Sequence, residues 1–197
     1  MITSPSYTNL PDPTTVPTVG VFHRVLAYLI DQFCTQVLVF PVYYFMVVRP
    51  NFTLVVLLWL LQFLYKPLLE SRFGATLGKL ALRLRVVDRG SYRRIGLNQS
   101  FVRYVPFAVA QFATLFLLIR ISGDAALAEV ESVNEYVRFL TFHPLSQSFV
   151  VGLCNNIPVF SSAWMVMDPW NRSLHDRWAQ TFVVRKPEGS DLKPPSA

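Results

Sequence analysis

Asp31 has the most to explain. It lies in an otherwise uncharged apolar run from Val25 to Val48, and a charge near the centre of a bilayer costs about 2.5–3.5 kcal/mol on insertion scales. A carboxylate kept there has a partner or a task. Arg24 stands seven positions earlier, which on a helix returns it to nearly the same face about 10 Å away. Gln62, Gln111, Asn155 and Asn156 fall near the middle of other apolar runs, so a polar cluster around Asp31 is open to them. Two chemistries fit: proton exchange at the carboxylate, or hydrogen bonding between helices that fixes their packing.

The other candidates carry less. Gly74-Ala-Thr-Leu-Gly-Lys79 has the residue types of a phosphate loop but not its spacing, and it lacks the preceding strand and following Ser or Thr. Gly74 and Gly78 then serve a bend and close packing, and Thr76, Gly78 and Lys79 form an interfacial motif with Lys79 directed at head groups. His175 and Asp176 are adjacent, so on a helix they diverge, and with no nucleophile nearby a structural role at the interface is expected. His23 and His143 fall on opposite sides of the topology below, which excludes a shared metal site. Cys34 and Cys154 lie in apolar stretches without a CxxC spacing and are expected to be buried, reduced and inert. No catalytic residue, metal or cofactor is expected, and enzyme activity is not.

These residues must be positioned by helices in lipid. Hydrophobic residues make up 52% of the 197 positions and charged ones 15%, with mean hydropathy +0.37, more apolar surface than one soluble core hides. Spanning about 30 Å of hydrocarbon takes about 20 apolar residues, and helices are expected over 22–48, 52–69, 101–120 and 146–167. Pro41 is a possible kink in the first, and Lys66 must snorkel from the second. All Lys and Arg except Arg49, Arg120 and Arg138, fifteen of the 18, fall on one side of these helices. The other side's longer loop holds Asp124, Glu129, Glu131 and Glu135. By the positive-inside rule the basic side is cytoplasmic, with both chain ends. The net charge of +6 thus points to anionic lipid head groups as partners and not to nucleic acid. The expected location is the cell (inner) membrane.

Between the second and third helices, Leu77, Leu80 and Leu84 share a helical face, the pattern of a short interfacial helix. Period-two alternation over Leu82 to Asp88 and over Thr181 to Arg185 reads as two strands that pair with each other. Residues 1–19 contain four prolines and no Lys or Arg, which excludes the basic n-region of a signal peptide and suggests a disordered tail. Residues 187–197 suggest a second one, leaving 20–186 as the membrane domain. The fold class is therefore an all-α membrane protein, a four-helix bundle with an interfacial helix and a short strand pair.

Three stretches together resemble the RDD family of small membrane proteins, named for one arginine and two aspartates. Phe22-His-Arg24 through Ile30-Asp31 resembles its opening helix, Thr76-Leu-Gly78-Lys79 through Leu84-Arg-Val-Val-Asp88 its central stretch, and Leu174-His-Asp176 through Thr181-Phe-Val-Val its closing motif. The family often has Pro where this chain has Leu77 and Gly where it has Gln180. The resemblance makes Arg24, Asp31 and Asp176 the marker residues. Some members are associated with exchange of monovalent cations for protons and others with membrane-protein complexes. Exchange through Asp31 is the expectation, with Arg24 setting its charge state and Asp176 at the cytoplasmic mouth, and transport on four helices would need a homo-oligomer. The rival is a scaffold or accessory subunit of a membrane-protein complex.

Overall fold

The computed structural model describes residues 18–185, so the expected tails over 1–17 and 187–197 lie outside the described residues. Among the described residues, four helices are long and apolar enough to cross a membrane, Val21–Val48, Phe52–Phe73, Leu97–Ile121 and Phe149–Val166. Phe33, Phe149 and Met167 are about 80% exposed, an arrangement that lipid solvates and water does not.

The first span is α1 (Val21–Gln36) followed by α2 (Val39–Tyr43), which runs on into a wider π turn, Tyr44–Val48. The break at Val37-Leu38 comes from Pro41, which has no N–H for the carbonyl four residues back and crowds it with its ring. Leu38 N bonds the Thr35 carbonyl instead, at 3.0 Å.

The second span, α3 (Phe52–Phe73), outruns its expected end at 69 and stops at Gly74. Gly74 takes a left-handed φ of 75° and bonds the Glu70 carbonyl at 2.9 Å, a favoured way to end a helix. Glu70 and Arg72 do not end it earlier, because helix continuation depends on backbone partners and not on lipid.

Third comes α5 (Leu97–Ile121), four residues longer than expected at its start. Gln99 reaches back to accept from the Gly96 N–H at 3.2 Å, satisfying a terminal donor. The fourth span, α7 (Phe149–Ala163), is capped by Ser148 and closes in a 3-10 turn, Trp164–Val166. α5 is central, packing on α3 and α7, and Trp59 Nε1 donates to the Gln111 carbonyl at 2.9 Å.

At the basic end, α4 (Leu77–Ala81) leads to β1 (Leu84–Asp88), and α8 (Leu174–Trp178) leads to β2 (Thr181–Arg185). The strands pair antiparallel, with Leu84 opposite Arg185 and Asp88 opposite Thr181. Leu82 and Arg83 are excluded from β1, because Arg83 turns the chain with a φ of 55°. Leu84 is therefore a buried strand residue and not part of the face of α4. Thr18 and Val19, expected in the tail, cover the free edge of β2, with Val19 N bonded to the Val183 carbonyl at 3.0 Å.

At the opposite end, a 3-10 turn (Ala125–Glu129) precedes α6 (Val133–Phe142). Its Tyr136 is buried against Met46, Val55 and Leu118. The cysteine expectation needs correction, since Cys34 is exposed and Cys154 half-buried, both as free thiols. α1 buries only Arg24 and Ala27, so most of its apolar side chains face outward, where lipid replaces a protein core.

Candidate functional site

Asp31 is held on both carboxylate oxygens. Its Oδ1 accepts from Tyr65 Oη at 2.9 Å and from Gly78 N at 2.8 Å, and its Oδ2 accepts from Thr76 Oγ1 at 2.5 Å. Thr76 is the residue before α4 and Gly78 lies in its first turn, where backbone N–H groups have no partner within the helix. Asp31 supplies that partner from another helix. The approach is close enough to need glycine, because a Cβ on Gly78 would stand 2.0 Å from the Ala27 carbonyl oxygen. Thr76, Gly78 and Lys79 thus turn inward, a correction to the interfacial motif. Thr76 and Gly78 fasten α4 to α1, and Lys79 pairs with Glu70 instead of reaching head groups.

Arg24 pairs with Asp176, Nη1 to Oδ2 at 2.5 Å, and not with Asp31. Arg103 carries the chain onward, since its Nη1 binds Asp176 Oδ1 and its Nε lies 3.0 Å from Glu70 Oε2. Glu70 then binds Lys79. Five charged side chains, Arg24, Asp176, Arg103, Glu70 and Lys79, so connect α1, α8, α5, α3 and α4. Thr181 of β2 joins through Arg103. Arg103, Glu70 and Asp176 are about 1% exposed or less, and a buried ion chain of this kind tolerates loss of one member poorly, because the remaining charges are stranded.

Asp176 also accepts from Ser173 N at 3.0 Å, closing the first turn of α8. Burial alone would raise its pKa, but the guanidinium groups of Arg103 and Arg24 outweigh it and hold the carboxyl well below its usual range. His175 is shifted the other way in charge, since burial keeps its pKa well below 6.5 despite the neighbouring Asp176, and the ring is neutral. Its Nδ1 lies 2.9 Å from Ser161 Oγ, a hydroxyl that no sequence spacing marked as a neighbour. Ser161, His175 and Asp176 do not form a nucleophilic triad. His175 Nε2 is 3.9 Å from Asp176 Oδ1, beyond a hydrogen bond, and that oxygen belongs to Arg103.

Of the supporting amides, Gln62, Gln111 and Asn155 line one cavity of about 250 Å³ together with Asp31 and Lys66. None bonds Asp31, whose hydrogen bonds come from Tyr65, Thr76 and Gly78. Asn156 is exposed and bonds the Gly152 carbonyl of its own helix at 2.8 Å. The residues missed are Tyr65, Glu70 and Arg103. Arg103 ends an apolar run, where hydropathy alone places a charge at the interface, although Ser100, Arg103 and Phe107 recur at helical spacing along one face of α5. Lys66 does not snorkel outward. Its ammonium lies over the Phe107 ring, 3.0 Å from the centroid.

Four apolar spans, a helical fraction of 69% and one small antiparallel sheet define a multi-pass membrane protein. It belongs to the RDD family, whose family model matches residues 18–180. Arg24, Asp31 and Asp176 all lie inside that match, which stops one residue short of β2. No curated protein and no solved structure matches the chain.

Proposed function

We propose that this chain is a non-enzymatic scaffold or accessory subunit of a membrane-protein complex. It sits in the cell membrane with its basic end, and both ends of the chain, on the cytoplasmic side. The observation that carries this reading is the engagement of both carboxylate oxygens of Asp31. Its oxygens tie α1 to α3 through Tyr65 and to α4 through Thr76 and Gly78, so exchanging protons for cations there would break bonds that hold three helices together. The other two marker residues are similarly committed, as Arg24 and Asp176 belong to the ion chain that joins the basic-end elements. Asymmetry of the basic residues supports the orientation.

One observation favours monovalent cation/proton exchange as a second reading. The wall of the cavity beside Asp31 includes Gln62, Gln111 and Asn155 together with Lys66, and the three amides are groups suited to coordinating a small cation. Flux distinguishes the two readings. Proteoliposomes containing only this protein, with an internal pH dye and an imposed sodium or potassium gradient, are expected to show no coupled proton movement. Coupled movement in the wild type, abolished by Asp31→Asn, would establish exchange and remove the scaffold reading.

A further inference from the structure

Arg24 has two guanidinium nitrogens, Nε and Nη2, that are buried without a hydrogen-bond partner. Its side chain is 7% exposed, so water does not solvate these donors freely. A buried donor left unpaired is destabilising, the more so when it is charged. Arg24 lines a cavity of about 250 Å³ whose walls also include Lys66, Lys79 and Arg103. Lys66 makes no ion pair or hydrogen bond among the described residues, its ammonium resting on the Phe107 ring. Four cations thus face three carboxylates, Asp31, Glu70 and Asp176. Those carboxylates are already engaged, Asp31 by its hydrogen bonds and the others by the ion chain. One positive charge is left over, and neutral His175 adds none.

Part of the cavity's lining lies on the exposed, apolar flank of the spans. Val25 and Tyr28 of α1 and Val159 of α7 line the cavity, and each is about half exposed along an apolar span. Lys66 lies seven residues from the end of α3 at Phe73, roughly 10 Å from the basic end, where hydrocarbon gives way to head groups. An anion entering between α1 and α7 would leave apolar chains attached to it outside, against Val25 and Val159. At about 30 Å³ per water in the liquid, the space suits a phosphate with its first ester carbons.

We propose that this cavity binds the phosphate of an anionic phospholipid, taken in sideways between α1 and α7, with Arg24 Nε and Nη2 donating to its oxygens and Lys66 balancing its charge. The site is independent of the scaffold reading. It is tested by native mass spectrometry of the full chain in lipid-free neutral detergent, titrated in turn with phosphatidylglycerol, phosphatidylcholine and inorganic phosphate. Two variants are compared, Lys66→Met, which removes a charge that makes no direct ion pair or hydrogen bond among the described residues, and Val159→Trp, which narrows the opening and changes no charge.

The expected result is one bound phosphatidylglycerol, held more tightly than phosphatidylcholine, with binding weakened about tenfold or more in both variants. Wild-type elution of either variant on size exclusion shows that its loss is not misfolding. Equal retention of both lipids, or unchanged phosphatidylglycerol binding in the variants, overturns the proposal. Binding of inorganic phosphate without the lipid overturns the lipid assignment and makes a free phosphate the ligand.

Discussion

At the scale of single residues, the charged groups here are fastenings first. Asp31→Leu strands the Tyr65 hydroxyl, the Thr76 hydroxyl and the Gly78 N–H together and is expected to lower stability by about 2–4 kcal/mol. Asp31→Asn, which keeps one acceptor oxygen, is expected to cost less than half as much. Reversible unfolding in mixed micelles measures both, and equal losses would show that Asp31 does not act through its acceptors. His175 gives a pH signature. Its folded pKa is depressed, so its contribution is fully present above the unfolded value near 6.5 and is lost as pH falls below that, by up to about 1.4 kcal/mol per pH unit. Melting temperature is therefore expected to drop between pH 7 and pH 5, with the slope reduced in His175→Gln. Asp176 shifts in the carboxylate sense, keeping its contribution until pH falls below the usual carboxylate range.

At the scale of elements, α4 is too short to hold itself together and exists because of what it docks on. Isolated helices of one or two turns are unstable in water, and α4 has five residues. Gly78→Ala is expected to destabilise the protein by about 3 kcal/mol, at the upper end for overpacking, because the new Cβ meets the Ala27 backbone oxygen and not a flexible side chain. Gly152→Ala, with open space around its Cβ, is the control and is expected to be neutral or slightly stabilising. If the two variants melt alike, the close approach of α4 to α1 is wrong. The two departures from the family's pattern also become intelligible. Leu77 occupies the first position of α4, where proline is favoured, and gains a bond from its N–H to Tyr65 Oη at 3.2 Å that proline lacks. Gln180 has a φ of 53°, a conformation that glycine takes without steric cost. Here the Gln180 side chain bonds the Arg177 carbonyl and Arg89.

At the scale of the whole molecule, the two ends differ in kind. The basic end is tied by ions and a sheet, whereas the opposite end is closed by apolar packing of α6 and the 3-10 turn against the spans. Orientation is testable by thiol labelling of single-cysteine variants. Because native Cys34 is exposed, Cys34→Ser and Cys154→Ser form the background. Glu129→Cys is expected to react with an impermeant reagent from outside intact cells and Asp191→Cys only after permeabilisation. Labelling of both from the same side would contradict a membrane crossing by the fourth span, which alone separates them.

The sequence by itself determined the four spans, the two strands and the asymmetry of charge, because each follows from local rules: about 20 apolar residues per crossing, period-two alternation, and basic residues beside one set of helix ends. It also marked Arg24, Asp31 and Asp176 as the unusual residues, since their types and positions are costly wherever the chain folds. The partners were decided only in three dimensions. Arg24 is closer in sequence to Asp31, but its guanidinium meets Asp176 from 152 positions away, and Asp31 turns to donors on α3 and α4. Ion pairing depends on where side chains converge, and that convergence is set by α5 packing between α3 and α7. Packing also brought Glu70 and Arg103 inside from positions that read as interfacial, because a neighbouring opposite charge can hold in the interior what hydropathy alone assigns to the surface.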